Sequence, residues 1–400
     1  MKRIKNLKAG ALSTVIVVSA LMMLAVMALI SLWDMDMLLF SRTQYLKSQK
    51  ADIESAYLLY STHPDRFMQK ETELTIFDDR PSSKVEIERE QWGLYELVSV
   101  SVEKPAFTRT KLMGLREPSA YGAGLYHREN QMSITLAGNT NILTTAYLPR
   151  NGFIYGQMNS EFFDGQETDP AQMKPADPLF PAASQEILAG VDSMFSVHPT
   201  AQLFPGSMAV PFYNSTPLVL SADGQIRNCD LAGKTIVVGD ELTIDSTCRF
   251  RDIIFICSSL VVEEGFEGSM QVFARDSVVV EPNVRLLYPS GIYAGDRVRL
   301  SDSTQVNGYV IVNPLEEPEM TKPNYVSARK SIVRGFVYVN GNAQLQGIVS
   351  GSVYVKEAMY YGPSGYYRGM IHDFTLLENP GVAYPIWLDQ GKRRDAEWVK

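Results

Sequence analysis

The chain opens with a long uncharged segment, residues 9–33, which follows four basic residues and precedes two acidic ones. At about 1.5 Å per residue, a helix of this length crosses a hydrocarbon core of roughly 30 Å. A buried soluble helix and a cleavable signal peptide are the alternatives, but the apolar region of a signal peptide spans only about 7 to 15 residues. The sequence therefore predicts a single-pass helix in a lipid bilayer.

Charge bias sets the expected orientation of this helix. Basic residues flank the cytoplasmic side of membrane helices, so the basic leader, residues 1–8, is expected in the cytoplasm. The acidic pair, Asp34 and Asp36, follows the apolar segment directly. We therefore expect the rest of the chain to be periplasmic or extracellular.

The apolar segment continues without glycine or proline until Pro64. Helix-compatible residues dominate this stretch, which predicts an amphipathic helical stalk over residues 34–64. Its apolar residues recur at seven- and four-residue steps and form one seam. This seam comprises Leu39, Leu46, Ile53, Tyr57 and Tyr60. It either packs on the protein's own globular domain or joins the helix to other copies or other anchors.

The layout of these first 60 or so residues resembles the type IV pilins and pseudopilins, and the minor pilins most of all. The resemblance rests on a short basic leader ending at Gly10, an apolar segment, and an extension reading LKSQKADIESAYLLY. It implies cleavage between Gly10 and Ala11, and partners among pilus or secretion-type envelope proteins. Counted from Ala11, the fifth residue is Val15, where that family normally has glutamate.

A repeat with a period near 18 residues occupies the second half of the chain. IVVGDELTID, IFICSSLVVE, VFARDSVVVE and IYAGDRVRLS begin at Ile236, Ile254, Val272 and Ile292, with offsets of 18, 18 and 20. Apolar or small residues alternate within each segment, as in two short strands separated by a polar turn. Strands at this period without intervening helices favour a parallel β-solenoid, and a hairpin-built sandwich is the alternative.

These observations predict a mainly β protein with an amino-terminal membrane helix and a β-solenoid that carries an inserted and capping segment. We expect an antiparallel hairpin in the region before the solenoid, since LYELVSVSV alternates cleanly and a second apolar run follows Lys104 and Pro105. The predicted regions are a β-rich entry region (65–130), early solenoid coils (131–164), a proline-rich insertion or cap (165–215), the main solenoid (216–375) and a carboxyl-terminal cap and tail (376–400).

The sequence contains no motif that predicts catalysis or a cofactor. It has no P-loop, dinucleotide fingerprint, HExxH or GxSxG. The four histidines are far apart and predict no metal site. A net charge of −8 argues against a nucleic-acid partner. We therefore expect a non-enzymatic protein.

Acidic residues recur at two positions of the repeat. Stacked coils lie about 4.8 Å apart, so equivalent residues should form columns along an edge. Such columns can bind a cation or a glycan, but aspartate is also a common turn former, and a charged edge discourages aggregation. The acidic members are Asp240, Asp276 and Asp296 in one column and Asp245, Glu263 and Glu281 in the other.

Two of the three cysteines, Cys229 and Cys248, are separated by 19 positions, close to one coil. We expect them to be neighbours in the stack. They can form a disulfide in an oxidising compartment, or remain separate thiols.

The repeat also resembles that of the bactofilins, bacterial β-solenoid proteins with similarly short coils. This likeness implies the architecture alone. The leading hypothesis is a non-enzymatic envelope protein that serves in structure, assembly or adhesion. The second is a membrane-tethered β-helix that binds or cleaves carbohydrate.

Overall fold

The computed structural model describes most of the chain, and the predicted leader, residues 1–8, lies outside the described residues. The described ranges are 10–67, 71–77, 84–102, 107–122, 124–213, 216–362, 365–379, 381–388 and 391–399.

A long helix and an antiparallel sheet form the amino-terminal part of the molecule. Helix α1 runs from Gly10 to Thr62, and a short 3-10 helix, Pro64–Phe67, follows it. The sheet has the strand order β1-β2-β3-β4-β33. Its strands are β1 Glu71–Thr75, β2 Lys84–Trp92, β3 Tyr95–Val102, β4 Phe107–Leu115 and, from the end of the chain, β33 Arg393–Val399. Strands β3 and β4 form the expected antiparallel hairpin.

The remaining strands belong to the solenoid or to short excursions from it. They are β5 Leu125–His127, β6 Ile134–Ala137, β7 Asn141–Ile142, β8 Ala146–Leu148, β9 Phe153–Tyr155, β10 Gln157–Met158, β11 Glu161–Phe162, β12 Met173–Pro175, β13 Ala201–Gln202, β14 Gly206–Val210, β15 Leu218–Ser221, β16 Gly224–Ile226, β17 Cys229–Gly233, β18 Thr235–Val238, β19 Glu241–Ile244, β20 Arg249–Arg251, β21 Ile253–Val262, β22 Glu267–Gly268, β23 Met270–Val280, β24 Arg285–Ala294, β25 Arg297–Leu300, β26 Gln305–Val312, β27 Tyr325–Ser327, β28 Ile332–Gln344, β29 Gly347–Gly362, β30 Gly365–Arg368, β31 Met370–His372 and β32 Phe374–Leu377. A second 3-10 helix, Pro170–Gln172, and helix α2, Gln185–Met194, lie between β11 and β13.

The repeats form a parallel β-solenoid of about 12 turns. The predicted fold class is therefore confirmed, and the hairpin-built sandwich is excluded because successive repeats pair in parallel. One face of the solenoid is a continuous parallel ladder. Its strand order is β13-β15-β18-β21-β23-β24-β26-β28-β29-β5-β8-β12.

A column of apolar side chains from this ladder fills the solenoid interior. Each member pairs with the next in register and each is buried. The column includes Val237, Phe255, Val272, Ile292, Val310, Val337 and Val353. A single coil could not cover these side chains, whereas a coil on each side removes them from water.

The structure corrects the sequence alignment of the repeats by one residue at the second coil. Val272 pairs with Phe255 rather than with Ile254, and the register changes between Cys257 and Ser259. Because strand side chains alternate between faces, this shift reverses the face assigned to the residues up to Cys257, whereas from Ser259 onward the strands pair at the predicted offset of 18. Ile236 and Ile254 accordingly belong to the cluster outside the ladder and not to the interior.

The coils are not stacked in chain order. After β29 the ladder continues with β5, where Val353 pairs with Leu125. On another face of the stack, β32 pairs with β7, with Thr375 opposite Asn141. We call this part of the stack, formed by residues 370–377 and 125–142, the handover coil. The early coils therefore extend the far end of the stack instead of preceding its first repeat.

The proline-rich region connects the two ends of the solenoid. Strand β12 forms the last coil at one end, and β13 and β14 begin the stack at the other. Between them the chain runs along the outside of the ladder, where Phe180, Ile187 and Val191 pack against its aromatic outer face. Ser184 caps α2 by accepting a hydrogen bond from the Ile187 amide at 3.3 Å.

The chain end returns to the first sheet, so the whole solenoid lies between two neighbouring strands, β4 and β33. One face of the sheet covers α1 and the other covers the solenoid ladder. At the return, Arg393 makes two hydrogen bonds to the Glu96 carboxylate, at 2.7 and 2.9 Å. The Tyr60 hydroxyl of α1 donates to the same carboxylate at 2.7 Å. Helix, hairpin and chain end thus meet at one buried carboxylate.

We expect Glu96→Leu to destabilise the protein by about 3–5 kcal/mol, because it leaves the buried Arg393 guanidinium without its counter-ion. Glu96→Leu combined with Arg393→Met should recover much of this loss, since the fully buried charge is then gone and Arg89, the other cation beside Glu96, is 29% exposed and stays in contact with water. Chemical denaturation of the full-length protein in detergent measures both effects. Additive effects of the two substitutions would contradict the predicted coupling.

Candidate functional site

The first half of α1 is exposed along its whole circumference. Residues 12–46 are exposed throughout, including Leu24 at 62% and Trp33 at 69%. The mean hydropathy of the most apolar window is 2.8, and the described residues bury none of that window. A helix that is apolar on all sides and uncovered by its own protein is a candidate membrane span.

The predicted helix seam divides into an exposed part and a buried part. Leu39 and Leu46 remain 51% and 46% exposed, whereas Ile53, Tyr57 and Tyr60 are buried against the first sheet. The three buried residues are therefore covered by the protein's own domain and are not available to a partner. Gly10 and Ala11, the predicted cleavage positions, lie at the start of α1.

Polar contacts fix the buried half of α1 on the sheet. The Tyr57 hydroxyl donates to the backbone carbonyl of Arg109 at 2.7 Å, and the carbonyl of Val98 lies 3.1 Å from the same hydroxyl. Burial raises the pKa of Tyr57 far above its usual range, so this hydroxyl stays a donor. The Lys111 ammonium lies 4.4 Å from the centre of the Tyr57 ring and 2.8 Å from an Asp395 oxygen. The helix, hairpin and final strand therefore form one rigid base.

The first acidic column lies at an exposed turn of the solenoid. Asp240, Asp276 and Asp296 are exposed, and backbone hydrogen bonds connect the column, as from the Asp296 amide to the Asp276 carbonyl at 2.9 Å. Asp276 and Asp296 border a cavity of about 400 Å³ that is shared with the acidic loop around Glu316. Basic side chains, including Arg275 and Arg297, line the same cavity, so its charge is mixed.

Side chains of the second acidic column make hydrogen bonds and an ion pair at the turns of the solenoid. Asp245 accepts a hydrogen bond from the Thr247 amide at 2.8 Å and pairs with Arg227 at 3.2 Å. The Thr247 hydrogen bonds are the main cause that holds the pKa of Asp245 below its usual value. Glu263 accepts from Gln225 at 2.9 Å. Glu281 follows in the next coil, where its amide donates to the Val262 carbonyl at 3.0 Å.

Cys229 and Cys248 lie in the interior of adjacent coils, next to the pair formed by Asp230 and Arg249. Both are free thiols in this structure. Burial raises the pKa of each thiol above its usual value, which lowers the thiolate fraction that oxidation requires. A disulfide between them stays a prediction.

Two carboxyl groups meet where the final strand crosses the solenoid. Burial, and then the nearby Asp252 carboxylate, raises the pKa of Glu397 to about 7. Burial also raises the pKa of Asp252, whose carboxylate accepts a hydrogen bond from Ser269 at 2.9 Å. The positive charge of Arg251 favours the ionised form of both carboxyl groups and so partly offsets the rise in their pKa. This junction should therefore respond to pH near neutrality.

We expect the free energy of unfolding to fall between about pH 4.5 and pH 7. In this range the folded protein keeps a proton on Glu397 that the unfolded chain releases, so the stabilisation present below pH 4.5 is lost as the pH rises. Because the carboxyl is half-buried, solvent screening limits the effect to about 1–2 kcal/mol. Denaturation of wild type and Glu397→Gln across this range should show a flatter profile for the variant. Parallel profiles would contradict the assignment.

The structure also assembles a group of ligand-type side chains that the sequence did not predict. Glu161, His372 and Asp373 place one donor atom each within 4.8 Å of one another. Glu161 lies in a short hairpin of the early coils, some 210 positions before the other two. The adjacent His372 and Asp373 were the one local signal in the sequence, and the β10–β11 hairpin of the early coils provides the third member.

No family model, curated protein or solved structure matches the chain. The function is therefore inferred from the geometry described above.

Proposed function

We propose that the protein is a non-enzymatic, single-pass envelope protein in which α1 anchors a rigid β-solenoid outside the membrane, as a structural or assembly component with a pilin-like amino terminus. The observation that carries this proposal is the division of α1. Its first half is apolar and exposed on all sides. Its second half is held against the first sheet. Such a helix suits a protein embedded at one end and fixed to a folded domain at the other.

The attachment of the solenoid supports a load-bearing or display role. The solenoid lies between β4 and β33 of one sheet. The chain therefore enters and leaves the solenoid through the sheet on which α1 packs. Trp387 adds to this contact and is fully buried between Tyr293 and Tyr338, with ring-centre distances of 5.8 and 5.6 Å. The solenoid is thus oriented by the anchor and not suspended from a linker.

The exposed seam residues support assembly through the helix. Leu39 and Leu46 follow the acidic pair that ends the apolar segment, so they lie beyond the expected membrane boundary. Both remain uncovered by the sheet. A second helix, from another copy or another anchor, would remove these side chains from water. The proposed partners are therefore helical envelope proteins, including copies of this chain.

Photo-crosslinking in intact cells tests the assembly role. A photoreactive residue at Leu39 should give protein adducts that include this chain or another single-helix anchor. The matched control is Leu58, which lies on the same helix and is 67% exposed but belongs to the segment fixed to the base. Adducts to lipid alone at Leu39 would contradict assembly through the helix.

A separate experiment tests the alternative function, which is carbohydrate binding. If the full-length protein in detergent binds glycans, and if Asp276→Ala with Asp296→Ala abolishes that binding, a carbohydrate role replaces the structural one. Glycan binding that is absent, or unaffected by these substitutions at the first acidic column, would leave the structural proposal in place.

A further inference from the structure

His372 is a buried histidine whose ring nitrogens make no hydrogen bond within the described part of the chain. The side chain is fully buried, and neither Nδ1 nor Nε2 has a hydrogen-bond partner among the described residues. Nε2 lies 2.8 Å from an oxygen of Glu161, but off the direction a hydrogen bond requires. Buried polar groups normally have such a partner, so the ring of His372 calls for another explanation.

Two carboxylates face this imidazole. Nδ1 lies 3.6 Å from Oδ2 of Asp373, and Glu161 approaches Nε2 from the β10–β11 hairpin. The Arg329 guanidinium joins the two carboxylates, at 3.1 Å from Glu161 and 2.8 Å from Asp373. Its side chain is 51% exposed, so it can turn into solvent without leaving a cavity in the core.

The backbone shapes the space around these donors. Gly138 has a φ of +60°, and a Cβ there would overlap Oδ1 of Asp373 and lie 3.0 Å from Nε2 of His372. The Asn139 amide donates to the same Asp373 oxygen at 3.0 Å, which orients the carboxylate. Hydrogen bonds of this kind orient the ligands of protein metal sites. Only glycine leaves room for this arrangement.

We propose that Glu161, His372 and Asp373 form a binding site for a divalent transition-metal ion, with zinc as the best match, and that Arg329 occupies the cation's place in the metal-free protein. One imidazole and two carboxylates are a ligand set that suits zinc, with water in the remaining position on the exposed Glu161 side. Magnesium is a poorer match, because it prefers oxygen ligands in an octahedral arrangement.

The position of the site gives the ion a structural role. His372 and Asp373 lie in the 370–377 segment of the handover coil, whereas Glu161 belongs to the early coils. A bound ion would therefore fasten the two chain segments to each other where they meet. It stabilises the folded protein by mass action, since the unfolded chain does not bring the three donors together.

Calorimetric titration of the full-length protein in detergent with zinc chloride tests this site. Wild type should bind one zinc ion per chain at this site and show a zinc-dependent rise in unfolding temperature. His372→Gln and Glu161→Gln should each weaken binding at least about tenfold. Arg329→Gln should tighten it about five- to tenfold, because it removes a competing positive charge. Magnesium at the same concentration should not compete.

A second site variant and a matched control make the zinc titration decisive. Glu161 lies on an exposed hairpin, so Glu161→Gln tests the site even if His372→Gln fails to fold. The matched control His198→Gln replaces an exposed histidine in the insertion and should leave zinc binding unchanged. Equal zinc affinity in wild type, His372→Gln and Glu161→Gln would overturn the site. Unchanged or weaker binding in Arg329→Gln would overturn the role given to the arginine.

Discussion

Replacing Gly335 by alanine is expected to destabilise the protein by more than about 4 kcal/mol, because backbone strain and steric overlap add at this position. Gly308, Gly335 and Gly351 pair in register at one corner of three consecutive coils. Their φ angles are +141°, +137° and +144°, a region that side-chain-bearing residues avoid. A Cβ on Gly335 would also overlap the Gly308 carbonyl oxygen. Neither the strained backbone nor the fixed neighbouring coil can relieve this overlap.

Gly224→Ala is the matched control for this substitution. Gly224 also has a positive φ, +63°, but a Cβ there would have no atom of the described residues within 4 Å. It should therefore cost only the left-handed strain of about 1–2 kcal/mol. Thermal and chemical denaturation compare the two variants. Equal losses at Gly224 and Gly335 would contradict the close approach of coils at this corner.

The double substitution Leu21→Arg with Leu24→Arg is expected to remove the protein from the membrane. Both side chains are exposed near the middle of the apolar segment, at 60% and 62%. An arginine near the centre of a membrane helix costs about 2.5–3.5 kcal/mol, so two should prevent stable insertion. Fractionation of cells after carbonate extraction measures the effect, and the variant should leave the membrane pellet.

The control places the same charges lower on the same helix. Leu58→Arg with Thr62→Arg alters exposed positions in the part of α1 that packs on the sheet through its other side. This variant should stay in the membrane fraction. Retention of the Leu21→Arg and Leu24→Arg variant in carbonate-washed membranes would contradict the proposed span.

The solenoid was predictable from sequence because its period is short and local. Alternation within each repeat identifies strands, and the constant offset identifies stacking. The alignment nonetheless slipped by one residue between Ile254 and Val272. The strands of this face are apolar on both sides, since aromatic residues and the insertion cover the outside. Without polar residues to mark one side, the pattern did not fix the register.

The handover coil was not predictable in the same way. Pairing of Val353 with Leu125 joins residues more than 200 positions apart, and no local pattern specifies such a long-range contact. The same limit applies to the final strand, which lies in the region predicted as a carboxyl-terminal cap and tail. Its pairing with β4 depends on Glu96, far back in the chain. The Glu161, His372 and Asp373 site was missed for the same physical reason.

The most direct test of the proposed topology is cysteine labelling on the two sides of the membrane. The three native cysteines are buried, so background labelling should be low. Leu315 is 96% exposed on the solenoid. In spheroplasts, a membrane-impermeant maleimide should label Leu315→Cys before lysis, and should label Asn6→Cys, in the uncleaved chain that still carries the leader, only after lysis. The reverse pattern, or labelling of both positions only after lysis, would contradict a solenoid anchored outside the membrane by α1.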